Sequence, residues 1–448
     1  MLTLSMASCN IYKKYELPTD DSAIVADYGS ALRAEVDSTA LPYLSWRDVF
    51  TDPKLQDLIS LALANNTDLE NARLNIDIAR AQLKGAKLSY FPSLAISPNV
   101  GTSSYGGSHM NWSYTIPVAL NWEIDAFGKI LNRKRGAKVS VEQAEAYRQA
   151  VQSQIVCGVA STYYTLVWLN QQLDLTRRTA DIWKEQVESM VLMKQAAMVN
   201  EAAVVQSRAN YYSIMANIPE LEKSITSTQN TLSLLLNSYP QTWEVTSNLN
   251  FDIPVQLVEG IPLSYLACRP DVRASERSLA AAYYSTNSAR AAFYPSIVIA
   301  PQGGFTNLVG GMITNPGKWF IQLAGSLTAP IFSRGQNIAT LEAAKAQQQQ
   351  ALNSFEYTVL SAAGQVSDAL TAYNKNAEKR EYILKQIDQL EKSVEYTQEL
   401  LTLNQSTTYL EVLTARSNLL NAQLASLTCW HDKATALISI YQAVGGGR

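Results

Sequence analysis

Two proline-free stretches constrain the fold of this chain more than any other feature. No proline occurs between Pro117 and Pro219, and none follows Pro330. Both stretches are rich in Ala, Gln and Leu, and their apolar residues recur at the spacing of an α-helix. A helix over residues 129–199 would be about 100 Å long. Helices of that length do not fold around a compact core, so they need lateral partners along their whole length, as in a coiled coil.

The segment Asn111–Phe127 has a different period. Large apolar residues occupy every second position, and small or polar residues stand between them. This alternation predicts a β-strand with one apolar face. Because aromatic residues stand at both ends of the apolar stripe, the strand could face lipid in a membrane barrel, and it could also cover a soluble core. The apolar positions are Trp112, Tyr114, Ile116, Val118, Leu120 and Trp122.

The chain repeats itself once. Phe91-Pro92-Ser93 recurs as Tyr294-Pro295-Ser296 at an offset of 203 (294 − 91), and the alternating strand recurs at an offset of 205 (332 − 127). Each copy has short helices, two strands, a very long helix, a turn and another long helix. The same strand face is apolar in both copies, and in the second it carries Trp319, Ile321, Leu323 and Leu327.

This duplication divides the sequence into five predicted segments. They are a truncated lipoprotein signal end (1–9), an extended N-terminal arm (10–54), the first copy (55–236), a linker (237–262) and the second copy (263–448). In the first copy we predict strands at about 93–101 and 112–123 and helices at about 129–199 and 201–236. In the second copy we predict strands at about 296–306 and 318–330 and helices at about 333–402 and 408–443.

The composition excludes several classes of protein. A net charge of −3 and a pI near 5.7 argue against nucleic acid as a partner, because such proteins present a basic face. No apolar run reaches the length of about 18 residues that a transmembrane helix needs. No Ser/His/Asp set, phosphate-binding loop or metal-ligand spacing occurs. We therefore predict no catalytic residues, no enzyme activity, no metal and no cofactor other than a covalent lipid.

The lipid is predicted at Cys9. This residue follows the small residues Ala7 and Ser8, as the acceptor cysteine does at the end of a bacterial lipoprotein signal. Only eight residues precede it, and none of them is basic. Either the signal is truncated or the match is a coincidence.

Two strand pairs in one chain cannot hide their edges or bury one face. Each pair is flanked by long helices rather than by a domain that would cover it. Oligomerisation solves this problem, since three chains with four strands each would close a barrel of twelve strands. That number is even and falls within the range of outer-membrane barrels.

Five short motifs spread over nearly the whole chain point to a family. They are residues 46–53 (WRDVFTDP), residues 63–69 (LANNTDL), Arg269-Pro270-Asp271-Val272 with Glu276, Pro330-Ile331-Phe332, and residues 441–447 (YQAVGGG). Through these five motifs the chain resembles the outer-membrane efflux protein family, the TolC-like outer membrane factors, and in particular their lipoprotein branch. The resemblance implies an α+β membrane protein: a homotrimer with a twelve-stranded outer-membrane β-barrel continued by a long periplasmic α-helical coiled-coil barrel. It also implies a lipid-anchored protein in the outer membrane of a Gram-negative bacterium, in contact with outer-membrane lipid.

The resemblance further implies a function. In this family the tunnel is the passive exit duct of a tripartite efflux pump, which docks on a periplasmic adaptor protein and an inner-membrane transporter. We expect a transporter of the proton-driven type and small-molecule cargo. One alternative is the outer-membrane duct of a type I protein secretion system. Another is a soluble periplasmic coiled-coil scaffold or adaptor, which would explain the helices and the repeat but not two strand pairs with the same apolar face.

The family places its periplasmic gate at the far turns of the long helices. By this resemblance, Glu411 occupies a position where the family often has an acid, and three copies in a trimer would favour cations at the constriction. Thr407 stands where some relatives have an arginine, and Thr414 where some have a second acid. Ala197 replaces the glycine usual at the first turn. The gate residues we expect are therefore Glu411, Thr407 and Thr414, without the charged network of some relatives.

Overall fold

The computed structural model describes residues 12–20, 22–33, 44–104, 110–247, 263–309, 312–403 and 409–446. Cys9, Thr407 and residues 248–262 of the predicted linker lie outside the described residues. The described chain is mostly helical and contains one antiparallel sheet.

The chain forms two compact units, and each takes residues from both sequence copies. The first unit comprises the N-terminal residues to Val25, Arg73–Ala146 and Arg273–Thr358. The second comprises Ala26–Ala72, Tyr147–Val272 and Val359–Arg448. The sheet belongs to the first unit, and there the strands of the two copies pair with each other. The units therefore cut across the two copies.

Two of the helices in the described part of the chain are unusually long. Helix α5 has 67 residues and α9 has 68, so each is about 100 Å long. The helices are α1 (Ala23–Ala31), α2 (Trp46–Val49), α3 (Pro53–Asn65), α4 (Thr67–Leu88), α5 (Lys129–Gln195), α6 (Glu201–Leu235), α7 (Leu263–Leu266), α8 (Pro270–Ala291), α9 (Gln336–Leu403) and α10 (Tyr409–Ala443).

No helix among the described residues is both long enough and apolar enough to cross a membrane.

The predicted extended arm contains two short helices, which is a correction to the sequence analysis. Val25, Tyr28 and Ala31 are buried on α1 at a spacing of three residues. The period lasts for only nine residues, too short a run to stand out as a sustained helical pattern. In α2, the hydroxyl of Ser45 caps the first turn by accepting a hydrogen bond from the Arg47 amide (3.3 Å), which is typical capping chemistry.

Seven strands form the described sheet, with every pair antiparallel. They are β1 (Ser93–Ile96), β2 (Asn99–Ser103), β3 (Asn111–Ile124), β4 (Ser296–Ile299), β5 (Gln302–Val309), β6 (Met312–Gln322) and β7 (Gly325–Thr328). Strand β3 is central, with β1 and β2 on one side and β4 and β5 on the other. Strands β6 and β7 pair with β5 and β4. The sheet therefore has four lines of strand, each made of one strand or of two successive strands: β1 with β2, β3 alone, β4 with β5, and β6 with β7. The two outer lines, β1 with β2 and β6 with β7, each have an edge without a strand partner among the described residues.

Three of the four predicted strands are interrupted in the structure. The line predicted at 93–101 breaks at Ser97-Pro98, and the line predicted at 296–306 breaks at Ala300-Pro301, because proline has no N–H to donate to a neighbouring strand. The third line breaks at Leu323-Ala324 beside the second break, where the Ala324 carbonyl accepts from the Ala300 amide (2.8 Å). That line also starts at Met312, earlier than the predicted 318, because Met312 and Ile313 pair with Val309 and Leu308 of β5 beyond an irregularity in the register.

The core of the second unit forms where short helices pack on long ones. Phe50, Leu55, Tyr163 and Tyr441 are all fully buried in one apolar cluster. The rings of Phe50 and Tyr441 meet edge to face, with centroids 5.7 Å apart. Asp52 connects this core to a helix start, because it caps α3 at the Lys54 amide (2.9 Å) and accepts a hydrogen bond from the Tyr163 hydroxyl (2.7 Å).

Arg269 joins the start of α8 to the end of α10. Its buried guanidinium donates to both carboxylate oxygens of Asp271 (3.0 and 2.7 Å), to Gln365 Oε1 (2.8 Å) and to the Ala443 carbonyl (2.8 Å). Gly445 has a φ of +87°, and a Cβ there would lie 3.1 Å from the Arg269 Cα. These contacts explain why an Arg-Pro-Asp motif and a C-terminal glycine run occur together in this chain.

Candidate functional site

One face of the sheet is apolar and exposed. Directly opposed residues of an antiparallel sheet lie on the same face, and Ile116 of β3 opposes Phe305 of β5, which in turn opposes Trp319 of β6. The side chains of Trp319 and Ile321 are each 72% exposed. Other exposed apolar side chains of this face are Leu94, Ile96, Val100, Trp112, Val118, Trp122, Ile299 and Leu327.

The remaining predicted positions of this face behave differently. Tyr114 and Leu120 share the face with Ile116 but are half-buried. Leu323 is 84% exposed and lies in the break between β6 and β7 rather than in a strand. The exposed apolar area nevertheless runs across all four lines of the sheet. It is therefore a continuous patch and not a set of isolated apolar residues on the surface.

The opposite face is mostly small and polar, although Phe320 of β6 and Val298 of β4 also lie on it. Thr115 of β3 opposes Thr306 of β5, with their hydroxyl oxygens 3.0 Å apart. Gln302 donates to Gln322 across the next pair of strands (2.7 Å). Ala119 stands between these positions on β3. The two faces of the sheet therefore differ in polarity.

All four lines of the sheet join helices at the same end, which we call the junction (residues 88–93, 124–138, 289–296 and 328–336). Aromatic side chains gather there. The Trp122 indole donates to the Tyr90 carbonyl (2.9 Å), and the rings of Phe127 and Tyr294 stack with centroids 5.1 Å apart. The Lys134 ammonium lies 5.3 Å from the centre of the Tyr90 ring.

The first described segment, residues 12–20, is attached at this junction. Arg135 Nη1 donates to the Tyr12 carbonyl (3.2 Å), and the Tyr15 amide donates to the hydroxyl of Tyr284 on α8 (3.0 Å). The Tyr12 ring also packs against Gly128. The start of the described chain is therefore attached beside the end of the sheet.

The turn between α5 and α6 is well defined. The amides of Met198 and Ala197 bond back to the carbonyls of Met193 and Lys194 (both 2.9 Å), which is the Schellman arrangement. Ala197 has a φ of +59°, in the left-handed region that favours glycine. Helix α5 thus ends at Gln195, four residues before the predicted 199.

Ion pairing and capping hold the start of α6 against this turn. Lys194 pairs with Glu201 and holds the pKa of that carboxyl below its usual value, mainly through a hydrogen bond. The side chain of Asn200 caps α6 at the Ala203 amide (3.1 Å).

Two of the three predicted gate residues lie near the start of α10. Glu411 is exposed in the first turn of α10, and Thr414 is exposed one turn later, with its hydroxyl donating to the Leu410 carbonyl (2.8 Å). Thr407 lies outside the described residues. The structure thus places Glu411 and Thr414 on the same exposed stripe of α10.

Tyr409 is a residue that sequence reasoning did not select. Its buried hydroxyl lies 3.3 Å from the Ser207 hydroxyl on α6, and its ring joins an apolar cluster with Trp183, Met190 and Leu413. Burial is the main cause that raises the pKa of Tyr409. No sequence signal pairs Tyr409 with Ser207, because 202 residues separate them; spacing to Leu413 predicts only a buried position.

A cleft of about 830 Å³ lies in the second unit, between α5, α9 and α10. His431 lines it, stacks on Trp168 with centroids 4.6 Å apart, and places Nε2 3.0 Å from the Thr165 hydroxyl. Burial lowers the pKa of His431 below its usual value, so the ring is neutral at pH 7. Within the described residues, no cluster of three or more His, Cys, Asp or Glu side chains could hold a metal ion.

Known proteins resemble this chain over nearly its whole length. A sequence model of the outer membrane efflux protein family matches residues 58–238 and 262–446. Probable outer membrane lipoprotein SilC of Salmonella typhimurium is 28% identical over 90% of this chain and 88% of its own length. Cation efflux system protein CusC of Escherichia coli O6:H1 is 28% identical over 100% of this chain and 97% of its own. Among solved structures, the open state of the Neisseria gonorrhoeae MtrE outer membrane channel superposes with a TM-score of 0.82 at 27% identity, covering 92% of this chain and 94% of that one.

Proposed function

This chain belongs to the outer membrane efflux protein family, and on that premise we propose that it is the outer-membrane exit duct of a tripartite efflux pump. The duct passively conducts small molecules that an inner-membrane transporter expels. The match of the family model to residues 58–238 and 262–446 carries this proposal.

The working form is a homotrimer. Both outer lines of the sheet have an edge without a strand partner among the described residues, and such edges require pairing. Three sheets of four lines would close a twelve-stranded barrel, with Trp112, Trp319 and Ile321 facing lipid and Thr115 and Thr306 lining the lumen. The long helices α5 and α9 continue the barrel into the periplasm as a coiled-coil wall.

A covalent lipid on Cys9 anchors the chain. The relative SilC is named an outer membrane lipoprotein. Tyr12 is attached at the junction, and Cys9 precedes it by three residues, a chain length of about 10 Å at most. A lipid at that position reaches the membrane boundary without stretching the chain.

The gate lies at the turn that leads into α10. Glu411, Thr407 and Thr414 of three chains would surround the tunnel there, and the three carboxylates would favour cations. The Tyr409–Ser207 contact supports this location, because it ties the start of α10 to α6 and limits the positions that Glu411 can take.

The partners are a periplasmic adaptor and an inner-membrane transporter of the proton-driven type. The relatives differ in the cargo that their names state: cations for CusC and toluene for one TtgC. Both kinds are small, which favours small-molecule efflux over protein secretion for this chain.

Purification with and without detergent, followed by mass measurement and recording in planar bilayers, tests the proposal. We expect a detergent-dependent species of three 49.3 kDa chains that forms conducting pores. A soluble monomer without channel activity would contradict both the trimer and the duct.

A further inference from the structure

The junction concentrates positive charge in a chain that is otherwise slightly acidic. Residues 123–142, 289–294 and 331–336 contain seven Lys or Arg residues and three acids, whereas the whole chain has 36 basic and 39 acidic residues. Two of the acids, Glu123 and Glu142, pair with Lys129 (3.0 Å) and Lys138 (3.8 Å). The third, Asp125, caps the amides of Ile130 (3.0 Å) and Leu131 (2.6 Å). The cations of the junction therefore exceed the local acids, and five of them lie outside these two ion pairs.

Three of these cations, Lys134, Arg135 and Arg290, lie around the junction tyrosines, and we call them the junction cations. Lys134 lies 5.3 Å from the centre of the Tyr90 ring, and Arg135 donates to the Tyr12 carbonyl (3.2 Å). Arg290 lies in the last turn of α8, four residues before Tyr294, whose ring stacks on Phe127 just before α5 (5.1 Å). The junction cations thus come from α5 and α8, one helix of each sequence copy, and both helices carry them beside the aromatic rings of the junction.

The start of α5 does not offset this charge. Asp125 is the acid at this helix end, and its carboxylate already accepts hydrogen bonds from two backbone amides. Lys134 and Arg135 lie in the second turn of α5, and the first turn contains no acid of its own. An anion bound from outside would offset these side chains.

The position of the junction cations indicates which anion this is. They lie in the junction, at the end of the exposed apolar face, and the junction also contains Phe91, Ile331 and Phe332, which are 69%, 97% and 84% exposed. In membrane proteins, aromatic residues and cations beside an apolar band lie at the level of the lipid headgroups. The exposed apolar residues beside these cations favour a lipid anion over a soluble one.

We propose that Lys134, Arg135 and Arg290 bind the phosphate groups of anionic glycerophospholipids in the leaflet that faces the periplasm. This inference rests on the proposed insertion of the sheet into the outer membrane. Bound headgroups would fix the depth of the barrel and neutralise the start of α5.

The probe is short-chain phosphatidylglycerol, compared with phosphatidylcholine and with inorganic phosphate, added to the purified full chain in neutral detergent. Thermal unfolding at increasing lipid concentration gives the apparent affinity. We expect phosphatidylglycerol to bind about tenfold more tightly than phosphatidylcholine, because each basic residue near an anionic surface adds to the attraction. Inorganic phosphate at the same concentrations should leave the melting temperature unchanged.

The test variant is Lys134→Gln with Arg290→Gln, which leaves Arg135 in place to hold Tyr12. Its preference for phosphatidylglycerol should fall about tenfold. The matched control is Lys223→Gln with Lys392→Gln, which removes the same charge from exposed helix positions in the second unit and should keep the preference. Equal melting temperatures without lipid show that all three proteins are folded.

Three results would overturn the inference: equal binding of the two lipids, an unchanged preference in the test variant, or reproduction of the effect by inorganic phosphate. Loss of pump assembly in the test variant without any lipid preference would assign the cluster to an acidic protein partner instead. Channel recording separates the two levels of the proposal. A protein that conducts but shows no lipid preference disproves the lipid site alone, whereas a soluble monomer disproves the duct and the lipid site together.

Discussion

At the scale of single residues, the turn after α5 contains one residue in a strained backbone conformation. Ala197 has a φ of +59°, and a non-glycine residue in that region is strained by about 1 kcal/mol or more. We expect Ala197→Gly to stabilise the protein by about 0.5–1 kcal/mol, after the extra freedom of glycine in the unfolded chain is subtracted. Thermal unfolding in detergent measures this gain.

The matched control for that variant is Ala150→Gly, in the interior of α5. Glycine there should destabilise the protein by about 1 kcal/mol, because Ala150 lies within the helix and its replacement relieves no backbone strain. A melting temperature that falls equally in both variants would show that Ala197 is not strained.

A second residue-scale prediction concerns His431. Burial lowers its pKa in the folded protein, so the unfolded chain, with a histidine pKa of about 6.5, takes up the proton first as the pH falls. Stability should therefore decrease as the pH drops through about 6.5 and level off below the folded pKa. His431→Gln should remove this dependence, as followed by melting temperature against pH.

The only other histidine in the sequence, His109, supplies the control. His109→Gln should keep the pH dependence of the unmodified protein. If the two variants behave alike, protonation of His431 does not set the stability in this range.

At the scale of elements, the two faces of β6 favour different side chains, apolar on one face and polar on the other. Ile321 is 72% exposed on the apolar face, and its neighbour Gln322 belongs to the polar face with Gln302. If the apolar face meets lipid, Ile321→Lys should cost about 2–4 kcal/mol at mid-membrane depth, and Gln322→Lys much less. The fraction of chains recovered as membrane-inserted trimer measures the difference.

This pair of variants is informative because the added charge and the strand are the same. Equal yields from Ile321→Lys and Gln322→Lys would mean that both faces meet water. A loss confined to Gln322→Lys would place lipid on the polar face.

At the scale of the whole molecule, the proposed trimer would turn one exposed carboxylate into a ring of three. Glu411 is exposed in the first turn of α10, and three copies around a tunnel would attract cations. We expect Glu411→Ala to lower the cation selectivity of the channel in planar bilayers. The control, Glu381→Ala, removes an exposed carboxylate that is paired with Lys385 on α9 and should leave selectivity unchanged; the same selectivity in Glu411→Ala would remove Glu411 from the gate.

The sequence by itself determined the local features of this protein. Alternation from Trp112 to Trp122 follows from the period of a strand, and the absence of proline after Pro330 permits the 68-residue α9, because both depend only on neighbouring residues. The family also followed from short local motifs. The same local rules missed α1, which is too short to show a period, and the start of β6, where pairing with β5 resumes at Met312 and Ile313 beyond an Asn-Pro-Gly segment that favours a turn.

Only the tertiary structure decided which distant residues meet. The pairing of β3 with β4 and β5, the reach of Arg269 to the Ala443 carbonyl and the contact of Tyr409 with Ser207 each join residues more than 170 positions apart. No period or spacing encodes such partners, because they depend on the loops that return the chain and on the packing of elements already formed. The basic residues at the start of α5 fit two interpretations in the sequence, a solvated helix start or contact with the headgroups of the inner leaflet, and the attachment of Tyr12 beside Arg135 favours the second.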